Sequence, residues 1–543
     1  MKKIDILKFA IVLFIPTFIF LVLKAYSKVP YVGDENIYFY AGWATLRGVR
    51  PFAEMPFAHP PLHLLLAILW MIPDSVNPIW LKMSSVLPAT LTLICVMCFL
   101  RYCSVSLVVT LITGLFVAFS YEFLIISTHF TGANWSMLFL MLGLCFCLYN
   151  GRSKWIAPFA GICLAAATLV ALHTCPMAIC IALCSIFFRE KNRFRVVTAF
   201  VLFFVFVHLA FWICFGHGYS DQLFSYHANK TPMPDRGLHS ILDFVYNSYV
   251  ILSFAGLGLI ILLRDVMLYK FIYKGFVPAG ELFIAAFAII VQFCAVGINS
   301  RVYTYYMAPT IPFGALLLAL ALERGRLAIF SLFEKETCSR RNLSSVVAGL
   351  FFSILILATC FMQGEEIKKS MAGYRMRQRV NYTYRFDESP FLNKTFNSLV
   401  KKYFFVEVRN GSKIYTGPTT YLWHEFGSAS PEGLVPEILK YKDYDGTIFG
   451  DASIAPYLAL VSGRHIALEM PDTNGQLLNS GIVKMDDLLA RLKENMPRFM
   501  VTTPGVGISG HPDFINFFRR EGYQILGRSR NGGSEMFLYG KLN

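Results

Sequence analysis

Long apolar runs separated by short polar breaks make up most of the chain. Windows long enough to cross a bilayer, roughly 17–25 residues each, fall near 6–26, 78–100, 104–120, 133–149, 155–171, 172–188, 196–215, 246–263, 279–297, 302–322 and 344–362. That predicts about eleven spans. The run at 60–72 is also apolar, but it is short and Pro73 stops it, so it reads as an interfacial or re-entrant helix. Past residue 363 the pattern shifts to short apolar stretches set among turn residues. There 446–451 reads as a strand running into a turn, and Ser453 as the cap of a helix through Leu460 that Gly463 stops. The stretch 464–470 reads as a resumed strand, 498–503 as another, and Pro512–Arg520 as a helix. The stretches 523–527 and 535–539 flank an Asn531-Gly-Gly turn as a hairpin does. Alternating strands and helices predict a small open sheet. The fold class expected is a polytopic α-helical membrane domain over 1–362, followed by an α/β domain over 363–543, with 364–390 as the link.

The basic residues orient this arrangement. With the N-terminus cytoplasmic, Arg101, Arg152, Lys154, Arg189, Lys191, Arg193, Arg195, Arg264, Lys270, Lys274, Arg324, Arg326, Lys335, Arg340 and Arg341 all fall in loops on the inner side. The short outer loops near 121–132, 173–176 and 298–301 hold a single base, Arg301. Lys/Arg-rich loops stay inside. An odd number of spans then places the C-terminal domain outside the plasma membrane.

Composition agrees. The 543 residues are 56% hydrophobic, with a mean hydropathy of +0.53 and 50 Phe, which excludes an ordinary soluble protein. A net charge of +15 would suit nucleic acid. Most of the excess, however, lies before Met362, where it orients loops, so no nucleic-acid partner is expected. All 13 cysteines lie at or before Cys360, so no disulfide framework holds the tail. Met1-Lys2-Lys3 before an apolar run looks like a signal peptide, but no small-x-small cleavage site precedes Ser27. It reads as an uncleaved first span.

Chemistry concentrates in the first outer loop. Asp34-Glu35 follows the first span directly, then an aromatic stretch with Tyr38, then Leu46-Arg47-Gly48-Val49-Arg50-Pro51, then His59-Pro60-Pro61-Leu62. Adjacent acids in a loop are most often simply solvated. At a bilayer face they are costly unless solvated, paired or used, and one of them suits a general base whose partner orients it or a cation.

This loop resembles that of the GT-C glycosyltransferases, in particular the branch containing protein O-mannosyltransferases and the bacterial lipid A aminoarabinose transferase. The pattern there is Asp-Glu-x-x-Tyr, Ala, Leu-x-Gly-x-x-Pro and Lys/His-Pro-Pro-Leu; here it falls on Asp34, Glu35, Tyr38, Ala41, Leu46, Gly48, Pro51 and His59-Pro60-Pro61-Leu62. The layout is similar too. The resemblance implies transfer of a sugar from a polyprenyl phosphate to an acceptor hydroxyl on a protein, lipid or glycan. Transfer would occur outside the membrane and with inversion, Asp34 acting as base. A phosphate leaves readily, so the enzyme mainly needs one base and positive charge where phosphate develops. Arg301, with Tyr303 and Tyr306 before Pro309 and Pro312, is the candidate for the donor phosphate, or else an interfacial anchor. His59 stands where relatives have Lys; it contacts phosphate or simply opens the interfacial helix. Relatives carry a second acid before the fourth span, whereas here Asn134 occupies that position. Glu122 in the same outer loop, or Glu54 in the first, is the substitute. A divalent cation, if one is used, would sit between Asp34 and Glu122, and Asn134 weakens that expectation. His129 and His173 are read as structural.

Two further patterns carry less. The glycine-rich 505–510 lacks a βαβ context and a ribose-binding acid, so it reads as a loop beside the sheet. Asn381 and Asn393 are Asn-x-Ser/Thr sites in the tail. A transporter of a lipid-linked or small solute is the main rival to an enzyme. Its ionisable groups would sit at mid-membrane among internal repeats, and here the acids gather at span ends. A non-catalytic scaffold leaves the ordered loop without a purpose.

Overall fold

The computed structural model describes residues 3–25, 34–73, 76, 78–127, 129–148, 155–188, 193–229, 232, 236–269, 279–299, 302–333, 406–409, 412–415, 431–452, 454–474, 483–505, 507–531 and 534–542. The window near 344–362, the link 364–390, Arg301, Asn381 and Asn393 lie outside them. The helical body comprises α1 (Lys3–Ala25), α2 (Asp34–Leu46), α3 (Pro61–Met71), α4 (Pro78–Tyr102), α5 (Leu107–Phe119), α6 (Tyr121–Ile126), α7 (Gly132–Leu148), α8 (Ile156–Val170), α9 (Cys175–Phe188), α10 (Arg193–Ser220), α11 (Tyr226–Asn229), α12 (Arg236–Asn247), α13 (Tyr249–Tyr269), α14 (Ala279–Gly297) and α15 (Thr310–Phe333).

Three stretches are long and apolar enough to cross a membrane: Asp5–Lys24, Trp80–Tyr102 and Phe194–Asn229. A fourth counts if Arg236–Val245 and Tyr249–Arg264, bent by 91° at Ser248, form one broken span. Shorter apolar helices of 10–17 residues fill five other predicted windows: Leu107–Phe119, Gly132–Cys147, Ile156–Val170, Leu172–Phe187 and Leu282–Gly297. The window 302–322 opens differently from the expectation. Thr304–Met307 forms a 3-10 turn, and α15 starts only at Thr310. Pro309 and Pro312 lack the N–H that an earlier helix would require of them, but they suit a first turn. Ile6, Leu7, Ile11, Phe14 and Phe18 on α1 and Leu202, Phe206 and Ile213 on α10 are exposed at the surface. Exposed apolar residues in such number, on helices long enough to span, suit contact with lipid. Inside, Ala157, Ala160, Gly161 and Ala165 are small enough to let α8 pack closely on α7 and α10.

The first loop is two helices. Ten residues of α2, Glu35 through Ala44, are buried. A Cβ on Gly42 would lie 2.6 Å from the carbonyl carbon of Ala67 and 2.7 Å from its oxygen, so α2 and α3 meet backbone to backbone there. Pro60 and Pro61 start α3 in the way that prolines start helices. Over this pair, α10 bends at Gly216, whose φ of 56° favours glycine. The bend lays 217–229 across the turn between α2 and α3. Gln222 accepts from Phe57 N–H at 2.7 Å and donates to the Phe52 carbonyl at 3.0 Å, while His227 Nε2 lies 2.8 Å from the Ala58 carbonyl.

The tail carries a hairpin of β1 (Val406–Arg409) and β2 (Ser412–Tyr415). A second, four-stranded sheet has the order β3 (Ile448–Gly450), β4 (Phe499–Thr502), β6 (Ser534–Gly540), β5 (Gln524–Asn531). The β3–β4 pair is parallel and the rest antiparallel. Helices α16 (Val435–Leu439), α17 (Ala455–Ser462), α18 (Met485–Glu494) and α19 (Pro512–Arg520) accompany the sheet. Gly463, left-handed at φ 67°, stops α17. The loop 505–510 wraps a carboxylate instead of a nucleotide. Asp451 accepts from Ser509 Oγ at 2.8 Å and from the N–H groups of Ser509 and Thr503. Burial pushes its carboxyl up to about 7 despite those donors.

One predicted strand is replaced. Residues 464–470 make a single bridge to Ile448 and then coil into a 3-10 turn at Ala467–Glu469. Leu468 and Glu469 take positive φ of 61° and 48°, at a cost of about 1–3 kcal/mol each. The reason lies in α2. The Tyr40 hydroxyl accepts the Ile466 N–H at 2.7 Å and donates to Glu469 Oε2 at 2.6 Å, and Trp43 meets His465 with ring centroids 5.1 Å apart. One apolar cluster, including Ile37, Trp43, Leu64, Ile448, Leu458 and Phe499, runs from α2 and α3 into the tail.

Gly42→Ala should cost about 1–3 kcal/mol or more by overpacking. A melting temperature in detergent unchanged from wild type would show that α2 and α3 can separate without loss.

Candidate active site

Asp34 is the first residue of α2, exposed, at the positive end of the helix dipole. Its charge reaches the hydroxyls of Tyr38, Tyr226, Tyr305 and Tyr306. Tyr38 points back along α2 into a cluster of rings, 4.6 Å from His59 and 4.3 Å from His63. Tyr303, Tyr305 and Tyr306 come from the turn before α15, with Tyr305 and Tyr306 4.8 Å apart and His173 stacked on Tyr306 at 4.2 Å. Burial first, and neighbouring charge second, raise the Tyr38 and Tyr305 hydroxyls well above the ordinary phenol value; Tyr306 is pushed up to about 12. These groups are therefore neutral hydrogen-bonding partners at physiological pH. The structure thus brings Asp34, Tyr38, His59, Tyr303 and Tyr306 into one neighbourhood.

Glu35, one residue on, points elsewhere, because successive side chains on a helix diverge by about 100°. Its Oε1 pairs with Lys82 Nζ at 2.7 Å and its Oε2 accepts the Phe130 N–H at 2.9 Å, with both charged side chains largely buried. This carboxylate ties α2 to α4 and to the loop before α7. Glu122 is buried as well and accepts from Asn247 Nδ2 at 2.8 Å, joining α6 to α12. Glu54 lies in the exposed turn after Pro51, where it pairs with Arg50 at 2.7 Å and accepts its N–H at 2.9 Å; those hydrogen bonds hold its carboxyl below the usual carboxylate range.

Asn134 explains the departure from the acidic pattern. Its Nδ2 donates to the carbonyls of Ile126 at 2.8 Å and His129 at 2.7 Å, closing the loop between α6 and α7. A carboxylate has no proton to give to either. Among the described residues no group of three or more His, Cys, Asp or Glu side chains is placed to hold a metal ion. Glu122, turned to Asn247, and Asn134, turned to carbonyls, do not assemble a donor set with Asp34.

The sequence reading missed several members. Arg236, at the start of α12, lies over the Tyr303 ring at 5.3 Å and donates from Nε to the Val302 carbonyl at 3.2 Å. Its signal was an arginine between two predicted spans. Tyr226 is carried in by the bend of α10, and Asp472 and Asn474 are carried in by the tail; the charge of Asp472 reaches Tyr38 and Tyr226, and the Asn474 side chain bonds Tyr226. Nothing local in the sequence marks these three. Lys82 did carry a signal: a lysine inside an apolar window needs a partner.

Removing one half of a buried ion pair strands the other charge, which costs about 3–5 kcal/mol. Lys82→Met should therefore lower thermal stability and yield sharply, and the double variant with Glu35→Gln should recover part of the loss. Equal stability of Lys82→Met and wild type would dissolve the pair as a structural tie.

No family model and no curated protein matches this chain. Solved structures do. The crystal structure of ArnT from Cupriavidus metallidurans bound to undecaprenyl phosphate is similar over 99% of this chain and 98% of its own, with a TM-score of 0.60 at 14% identity. The apo state of the same protein gives a TM-score of 0.58 at 13% identity, covering 98% and 97%. The likeness extends through the helical body and the tail alike, and the GT-C architecture expected from the first-loop motif is the fold found.

Proposed function

We propose that this protein is an integral-membrane glycosyltransferase that moves a sugar from a polyprenyl-phosphate donor to an acceptor hydroxyl outside the membrane. The observation that carries the reading is the near-full-length likeness to a protein crystallised with undecaprenyl phosphate, joined to an exposed Asp34 at the start of the helix that carries Tyr38 into the ring cluster. On this reading the helical body over 1–362 has about eleven spans with the N-terminus inside. The domain over 363–543 lies outside the plasma membrane, and catalysis occurs on that side.

The chemistry follows from what surrounds Asp34. Its carboxylate takes the proton of the acceptor hydroxyl as that oxygen bonds to the anomeric carbon from the face opposite the phosphate. The bond from carbon to phosphate oxygen breaks, and polyprenyl phosphate leaves with the electron pair, which inverts the centre. Charge then grows on the phosphate. Arg236, fixed against Tyr303 and the Val302 carbonyl, is the described cation we assign to meet it, with His59, Tyr303 and Tyr306; Arg301, which precedes Val302 in the sequence, is kept as a candidate for the same role. Glu35 acts indirectly by fixing the helix that presents Asp34, and Tyr38 lines the acceptor side. Glu54 and Glu122 are occupied by Arg50 and Asn247, so we give neither a chemical step and route no step through a cation.

The test is transfer of radiolabelled sugar from polyprenyl-phosphate donors in membranes holding the full chain. Asp34→Asn should reduce transfer by about 100-fold or more at unchanged expression. Arg236→Ala should raise the donor KM by about tenfold or more, the loss of one charge-assisted contact. Equal activity of Asp34→Asn and wild type would remove Asp34 as the base. A wild type silent with every donor would remove the enzyme.

A further inference from the structure

We infer that the tail domain, through the turn Asp472-Thr473-Asn474 acting with Tyr226, recognises the hydroxyls of the donor's sugar ring beside Asp34. This rests on the polyprenyl-phosphate reading above and assigns the tail a part in it.

The turn is built to hold its shape. Thr473 Oγ1 donates to the Gly450 carbonyl at the end of β3 at 2.7 Å, which pins it to the tail sheet. The Asn474 N–H donates to Asp472 Oδ1 at 3.1 Å, which sets the direction of that carboxylate. From there the Asn474 side chain bonds the Tyr226 hydroxyl, and the Tyr226 ring lies 5.2 Å from His227, whose ring is 6.4 Å from His59, itself 4.6 Å from Tyr38 on the helix that begins at Asp34. Just upstream, the 3-10 turn at Ala467–Glu469 is clamped to α2 by the two hydrogen bonds of Tyr40. The same helix thus presents Asp34 at its start and fixes the tail from its middle. Two consecutive left-handed residues, Leu468 and Glu469, are kept at that clamp. Backbone strain of this kind persists where the surrounding contacts over-determine it.

A further polar group belongs to the same cluster. His63 is 2% exposed, and its Nδ1 side bonds the Val170 carbonyl, which leaves Nε2 as an acceptor. Among the described residues Nε2 has no partner, and the ring sits 4.3 Å from Tyr38 in the same cluster.

The side-chain types select the ligand chemistry. A carboxylate and an amide with planar, paired hydrogen-bonding atoms suit adjacent hydroxyls, and tyrosine rings suit the C–H faces between them. The segment 470–474, Met-Pro-Asp-Thr-Asn, brings no cation, so a phosphate would not be met there. The phosphate contact comes from the helical body, through Arg236. A donor of this class has its sugar directly attached to its phosphate, so the groups that meet the ring belong near Asp34, where tail and body converge.

The experiment uses the purified full chain in lipid nanodiscs. The probes are bare undecaprenyl phosphate and undecaprenyl phosphate carrying glucosyl, mannosyl, galactosyl or N-acetylglucosaminyl groups, and the readout is Kd by competition. Wild type should bind at least one glycosylated lipid about tenfold more tightly than the bare lipid, the worth of one hydrogen bond to a charged group. Asp472→Ala and Asn474→Ala should bring that ratio near one while leaving the Kd for bare lipid about unchanged, and Asp472→Asn should restore part of it. A preference retained in both alanine variants overturns the inference. So does a parallel fall in affinity for bare lipid, or a wild type that prefers none of the four. A wild type that does not bind undecaprenyl phosphate at all overturns the donor reading itself.

Discussion

Helix α2 is enclosed by protein along most of its length, and every polar group it carries inward has to be met there. Glu35 is met by Lys82 and the Phe130 N–H, and Tyr40 by Glu469 and the Ile466 N–H. The first contact fixes the helix against the membrane body and the second against the tail. At Gly42 its backbone comes too close to that of the next helix to admit a methyl group. With rotation and translation both blocked, the one acid that is not enclosed, Asp34, is held at the exposed end. On the proposed reading of Asp34 as a base, fixed placement is what the chemistry requires.

Much of this was legible from residue types alone. The alternation of apolar windows gave the helical body, and the turn chemistry of Gly463 and of Asn531-Gly-Gly gave the outlines of the tail, because those signals are local and depend on backbone conformations that few residues favour. The Asp34 to Leu62 motif pointed to the architecture that the solved relatives share. What stayed hidden was non-local. The 464–470 stretch has the residues of a strand, yet a hydroxyl 426 residues upstream takes its N–H and coils it. Asn134 looked like a missing acid until its two carbonyl partners showed that a donor was required. Arg236, Tyr226, Asp472 and Asn474 converge from three separate segments, and no spacing rule links them.

The two neighbouring acids show how little residue type says about role. Asp34 and Glu35 differ by one position and one methylene, yet the helix turns one to the surface and the other to a buried lysine. Burial against Lys82 makes the second costly to remove, whereas the first lies at the exposed start of the helix. Similar logic separates Glu54 and Glu122 from the tyrosine cluster, since each is already satisfied by a partner of its own.

The bond between Tyr40 and Glu469 joins residues 429 positions apart, which sets an order of events during synthesis. The body can insert span by span as it emerges, but α2 keeps an unsatisfied hydroxyl and an uncovered apolar face until the tail has been made and folded. A chain stopped short of that point would carry the whole first-loop motif and yet present sticky surface at the membrane.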